Sequence, residues 1–132
     1  MLKTNIVPRI CETNAAGHIG HTVIPVWMEA GLEGMFRIFN PRSSVEQMNL
    51  AIVSLGVDYL SEMYYGQEVQ VISQVKRIGK SSLEIYQEIY QGGQLCARGT
   101  TTFVHFNYRE RRPQPIPPSV AEKLREHLVA DS

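Results

Sequence analysis

The stretch Glu12–Phe36, ETNAAGHIGHTVIPVWMEAGLEGMF, joins a polar, histidine-bearing loop to a segment with the apolar content of a buried helix. At 100° per residue on an ideal helix, Met28, Leu32, Met35, Phe36 and Phe39 share one side, while Trp27, Ala30, Gly31, Gly34 and Ile38 share the other. Only a narrow stripe, Glu29, Glu33 and Arg37, remains polar. A helix apolar around most of its circumference has to be enclosed by other structure. Gly31 and Gly34 let a neighbouring backbone approach closely, despite their cost in helix propensity. A buried helix entered from a polar loop predicts a site at its N-terminus.

Outward from this helix the pattern changes. Asn40-Pro41-Arg42-Ser43-Ser44 is dense in breakers and reads as a loop. Ala51, Val53, Leu55, Val57 and Tyr59 then alternate with more polar neighbours, which predicts a long strand reaching towards Tyr64. Tyr65-Gly66-Gln67 turns the chain. Val69, Val71, Ser73 and Val75 form the next alternating face and end at Ile78-Gly79-Lys80, a hairpin signal. A third strand carries Leu83, Ile85, Gln87 and Ile89 on one face, and Gln91-Gly92-Gly93-Gln94 leads into a fourth, from Leu95 to about Tyr108. The segment Ile6 to Glu12 supplies one more. Strand, helix and four meandering strands define an α+β layout: a curled antiparallel five-stranded sheet wrapped around one long buried helix. Beyond Tyr108, RERRPQPIPP reads as extended. Ser119 then has the character of an N-cap for a short C-terminal helix with Val120, Leu124 and Leu128 on one side, packed outside the sheet.

With 132 residues and 43% hydrophobic composition, the chain fits a single domain, residues 1–132. Thirteen basic and 13 acidic residues cancel, so no global field draws it to nucleic acid or an anionic membrane. Arg109, Arg111 and Arg112 form a basic run without the accompanying patterns of a nucleic-acid reader. No apolar run suits a signal peptide or the roughly 18 residues of a membrane span, so a cytoplasmic protein is expected. Cys11 and Cys96 fit no CxxC spacing and are expected as reduced, buried thiols, neither a convincing nucleophile.

Taken in order, the entry motif ETNAAGHIGH, the helix opening VIPVWMEAG, the sheet stretch YYGQEVQVISQVKRIGKSSLEIYQEIYQGGQLCARGTTTFVHF and the terminal RRPQPIPPSV resemble the hotdog-fold acyl-CoA thioesterases of the 4-hydroxybenzoyl-CoA thioesterase type, from about Lys3 to Leu128. The resemblance implies hydrolysis of acyl-CoA or acyl-carrier-protein thioesters to free acid and thiol. It implies no metal, and no cofactor beyond the coenzyme A of the substrate. It also implies a homodimer with sheets joined edge to edge and active sites between subunits near the helix N-terminus; whether dimers pair into tetramers stays open. One departure matters. The family carries Asp where this chain has Asn14, and an amide cannot ionise; it can only donate or accept hydrogen bonds.

Thioester hydrolysis needs a polarised carbonyl, an activated water and an acyl pocket. The N–H groups at the helix N-terminus suit the carbonyl, and by resemblance the one near His21 is the donor. Asn14 can orient water or the thioester. For the base, Glu29 occupies the position of a helix Glu common among relatives; the alternative is a carboxylate on the polar stripe. His18 and His21, whose imidazoles can exchange a proton, are candidates too, unless they only shape the loop. HxxH without further ligands at zinc-like spacing gives no metal site. Trp27, Met28 and Tyr59 either line an acyl tunnel or pack the core. Arg77, Lys80, Ser81 and Ser82 cluster at a hairpin that by resemblance meets the nucleotide and pantetheine, and that otherwise is a solvated turn. The rival function is a non-hydrolytic acyl-CoA or acyl-carrier-protein binding module that has lost the carboxylate.

Overall fold

The computed structural model describes residues 1–15, 17–41 and 49–129, so Arg42, Ser43 and Ser44 of the expected loop lie outside the described residues. In chain order it consists of β1 (Leu2–Ile6), α1 (Val23–Ala30), α2 (Glu33–Phe39), β2 (Leu50–Tyr59), β3 (Val69–Ile78), β4 (Ser82–Gln91), β5 (Gln94–Asn107), β6 (Arg112–Pro113) and α3 (Pro118–Arg125). The strands form one antiparallel sheet in the order β1-β3-β4-β5-β2, with the two-residue β6 added to β5. This is the hotdog arrangement, a curled sheet packed around a central helical segment. Gly92 and Gly93 turn β4 into β5, both at positive φ (59° and 77°), where a side chain would be strained.

The expected fifth strand is displaced. It runs from Leu2 to Ile6, pairing Leu2 with Ser73 and Ile6 with Val69, and Ile10–Glu12 forms a single 3-10 turn instead. Pro8 has no N–H to give a ladder, and the Glu12 carboxylate accepts the Arg9 N–H at 2.7 Å, which turns the chain.

The long helix is also not continuous. It breaks at Gly31-Leu32, where the Leu32 N–H bonds Glu29 O and the Met35 N–H bonds Leu32 O, three residues back instead of four. Carbonyls that a continuous helix would satisfy are taken up by the sheet. Gln87 Nε2 donates to Met28 O at 2.7 Å, and Ser73 Oγ donates to Gly31 O at 3.0 Å. Gln87 Nε2 also donates to Ser73 Oγ at 2.9 Å. Both side chains are fully buried, so two polar residues on core-facing strand positions answer the polar demand of the helix break. A Cβ on Gly31 would stand 2.6 Å from Val71 Cγ1, which is why glycine sits at this crossing.

The break divides the core in two. Around α1, Ile24, Trp27 and Met28 pack with Val69, Val71, Ile89 and Ala97. Around α2, Leu32, Met35 and Phe39 pack with Val75, Ile85, Phe103 and Leu124. The tail therefore does not simply pack outside the sheet: α3 packs on α2 and β3, and Leu124 and Ala121 close the second half of the core. Its N-cap is Pro117, not Ser119, with Pro118 supplying the first helical residue, and Leu128 lies 43% exposed beyond the helix. The backbone of His127 and Val129 instead extends the edge of β3 through bonds with Val75.

Two faces remain open. On α1, Val26 is 58% exposed beside Glu29 and Ala30, so the helix is not enclosed all round by its own chain. On the edge strand β2, Ile52, Val53 and Leu55 are 53%, 59% and 44% exposed. The strand ends at Tyr59 rather than near Tyr64, and a bulge at Val53 breaks the expected alternation. Leu50, Ile52, Leu55, Val57 and Tyr59 consequently pair with β5 residues on the helix side, while Ala51 and Val53 turn away. Both cysteines are free thiols, but Cys11 is exposed, contrary to expectation. Burial pushes the Cys96 thiol up, making it a poor nucleophile. Among the described residues no helix is long and apolar enough to cross a membrane.

Candidate active site

A pocket of about 380 Å³ opens where the loop before α1 meets the segment after β2, lined by Asn14, His18, His21, Tyr59, Glu62 and Met63 among others. Its loop wall is a tight turn. The Asn14 N–H donates to His18 O at 2.7 Å, and the His18 N–H donates back to Asn14 Oδ1 at 3.2 Å. Gly17, at φ 81°, permits the reversal.

The opposite wall is the chain leaving β2. The Ile19 N–H bonds Met63 O at 2.8 Å, and single bridges pair Thr13 with Ile19 and His18 with Tyr64. Gln91 fixes this segment from the sheet, donating to the carbonyls of Tyr64 and Gln67 and accepting the Tyr64 N–H. Tyr59 Oη donates to His21 O at 2.7 Å, tying the end of β2 to the start of α1. The first turn of α1 uses the N–H groups of Val23 and Ile24, bonded to Gly20 O and His21 O, without a side-chain cap at Thr22.

Two side chains absent from the sequence-based candidates stand out. Glu12 is buried below the loop, where its carboxylate accepts Trp27 Nε1 at 2.8 Å and pairs with the Arg9 guanidinium at 3.3 Å. Burial alone would raise this carboxyl, but the Arg9 N–H and guanidinium, the Trp27 N–H and the Arg9 charge together hold it below the usual range. Glu62 faces His18, its Oε2 2.8 Å from the imidazole Nδ1, and the Tyr64 ring meets the same imidazole edge-on at 4.9 Å. An isolated Glu in a polar segment carries no sequence signal that it will face a histidine 44 residues earlier; the pairing of loop and strand end creates it.

The remaining candidates separate. Trp27 and Met28 are each 2% exposed and do not line this pocket, but Met28 borders the groove beside Glu29. Glu29 is exposed and lines a different groove, of about 120 Å³, with Val26, Ile52 and Leu55. Lys80, Arg77, Ser81 and Ser82 sit at the β3–β4 hairpin. Tyr59 pairs with Ala97, which pairs with Ile89, seven residues along β4 from Ser82, so the hairpin lies roughly 24 Å from the pocket within one chain. Ser81 O and Lys80 O accept N–H groups of His105 and Ile116, and Lys80 borders a groove with Arg125 and Ile116. Among the described residues no group of three or more His, Cys, Asp or Glu could hold a metal ion.

Comparison with known proteins gives this geometry a family. The Thioesterase-like superfamily profile matches residues 8–124. The chain belongs to that superfamily. A predicted thioesterase from Bacillus stearothermophilus is 44% identical, with a TM-score of 0.96 over 99% of this chain and 98% of that one. A thioesterase from Thermus thermophilus, solved in complex with coenzyme A and Zn, is 25% identical with a TM-score of 0.85, over 94% of this chain and 97% of that one. The 1,4-dihydroxy-2-naphthoyl-CoA thioesterase of Synechocystis, at 17% identity and a TM-score of 0.81 over 95% and 96% of the two chains, shares the fold. No curated protein matches the chain.

Proposed function

We propose that the protein hydrolyses acyl-CoA thioesters at the Asn14–His18–His21 pocket, as a homodimer paired through β2. Membership of the superfamily supports thioester hydrolysis in general, and the coenzyme A bound to the Thermus relative supports a CoA thioester in particular. The observation that carries the site is that Asn14, His18 and His21 line one pocket at the opening of α1. Asn14 orients the water or the thioester, and backbone N–H groups near His21 hold the oxyanion. A loop histidine rather than Glu29 removes the proton, since Glu29 lines another groove.

The dimer follows from the open edge. An edge strand whose outer side is unpaired among the described residues, bearing Ile52, Val53 and Leu55 beside an exposed Val26, calls for cover. Two-fold antiparallel pairing of β2 lays the Leu50 end of one copy beside the Tyr59 end of the other. Leu50 pairs with His105, whose N–H bonds Ser81 O, so this assembly carries the Lys80–Ser82 hairpin of one copy towards the other's pocket. The hairpin that is remote within one chain becomes a candidate for the CoA phosphates across the interface.

Release of thiol from a panel of acyl-CoAs of graded chain length, with aromatic acyl groups included, tests the reading. Turnover of at least one class is expected, and loss of turnover in His18→Ala. A protein that binds coenzyme A tightly and hydrolyses none of the panel is instead the binding module, the reading that Asn14 itself favours.

A further inference from the structure

We propose that Glu62 is a positioning residue for catalysis, holding His18 as the general base of a Glu–His dyad; this rests on the hydrolytic reading above. A carboxylate only accepts, so the 2.8 Å contact between His18 Nδ1 and Glu62 Oε2 places the imidazole proton on Nδ1. In the neutral ring, Nε2 then carries the lone pair. Three further contacts hold His18 in place: its backbone bridge with Tyr64, the edge-on Tyr64 ring at 4.9 Å, and the bonds of its backbone with the Asn14 N–H and Asn14 Oδ1. The imidazole is 30% exposed and lines the pocket together with Asn14, so it is both oriented and reachable. Glu62 is itself 60% exposed, a poor place for a stabilising ion pair and a sufficient one for an orienting contact.

In the step this permits, Nε2 takes a proton from a water whose oxygen bonds to the thioester carbonyl carbon. The carbonyl electrons move to oxygen and return as the C–S bond breaks. The sulfur leaves with the bond pair and takes the proton from Nε2, giving carboxylic acid and thiol and restoring the neutral imidazole. Nothing beyond water is consumed. The dyad thus supplies the base that an amide at position 14 cannot.

The test compares the unmodified protein with Glu62→Ala and Glu62→Gln. In Glu62→Ala, kcat is expected to fall at least about 10-fold, part of the roughly 10²- to 10⁴-fold that a general base contributes. KM and Tm should stay unchanged. The nitrogen chemical shifts of His18 should move from the Nδ1–H towards the Nε2–H tautomer. Glu62→Gln, whose amide oxygen still accepts from Nδ1, should keep the tautomer and recover part of kcat. Unchanged kcat in Glu62→Ala, or a fall in kcat with the His18 tautomer unmoved, overturns the dyad and leaves hydrolysis standing. Absence of turnover in the unmodified protein overturns the hydrolytic reading itself, and the base role with it.

Discussion

Gln87 Nε2 lies 2.7 Å from the carbonyl oxygen of Met28, so a side chain from the middle of the sheet completes the hydrogen bonding of a broken helix. Among the described residues no donor reaches Gln87 Oε1, so the amide is oriented by what its nitrogen gives. Gln87→Leu would leave Met28 O and Ser73 Oγ without this donor inside the core. It is expected to destabilise the fold by about 1–3 kcal/mol, read as a lower urea midpoint at unchanged slope.

At Gly31 two effects oppose each other. Alanine in a helix normally gains about 1 kcal/mol over glycine. Here the added Cβ would stand 2.6 Å from Val71 Cγ1 and 3.1 Å from Gln87 Nε2, and overpacking typically costs about 1–3 kcal/mol. Gly31→Ala should therefore lower Tm, whereas the same change at a solvent-facing helix glycine would raise it.

Glu12 sets an acid limit. Its folded-state pKa lies below the value of an exposed carboxylate, so its contribution to stability is present above the unfolded pKa and is lost as pH falls through the folded one. Denaturation curves from pH 7 down to 3 should show stability declining below about pH 4.5. Glu12→Gln should flatten that part of the profile. At pH 7 the variant should be less stable by about 1–3 kcal/mol, because the amide has one acceptor oxygen for the Trp27 and Arg9 donors together.

Leu55→Lys places a charge on the open β2 edge, where Leu55 is 44% exposed. Sedimentation velocity should show a dimer for the unmodified protein and a folded monomer for the variant, with thioester turnover lost. A variant that remains dimeric would place the interface elsewhere.

Asn14→Asp separates an evolved amide from a disabled carboxylate. If the binding module is correct, hydrolysis should rise sharply; if His18 is the base, turnover should change little or fall, because a second carboxylate enters the pocket that already holds Glu62. Steady-state rates with the best substrate of the panel read out the difference.

The sheet was legible wherever one face meets the core. Leu83, Ile85, Gln87 and Ile89 alternate in the sequence and are buried as a set. The period fails where tertiary contacts override it. Nothing local marks the bulge at Val53, and the helix break became visible only through the Gln87 and Ser73 side chains that answer it. The period puts Gln87 on the core face but gives no reason for a polar residue there. In the site, Asn14, His18 and His21 are brought together because they share one loop. Trp27 is turned into the core by the apolar side of the helix, while Met28 reaches the groove beside Glu29. Glu62 was invisible because its meaning depends on a contact between segments far apart in the chain.

Bonds that hold the His18 loop come from Tyr59, which ends the edge strand, and from Met63 and Tyr64 in the segment beyond it. One wall of the pocket therefore hangs from the margin of the molecule, with Gln91 as its tie to the central sheet. A strand edge left bare would fray first at that margin, and the loop would loosen with it. Turnover per chain should consequently decline on dilution, ahead of any change in helical content, as though concentration itself were an effector.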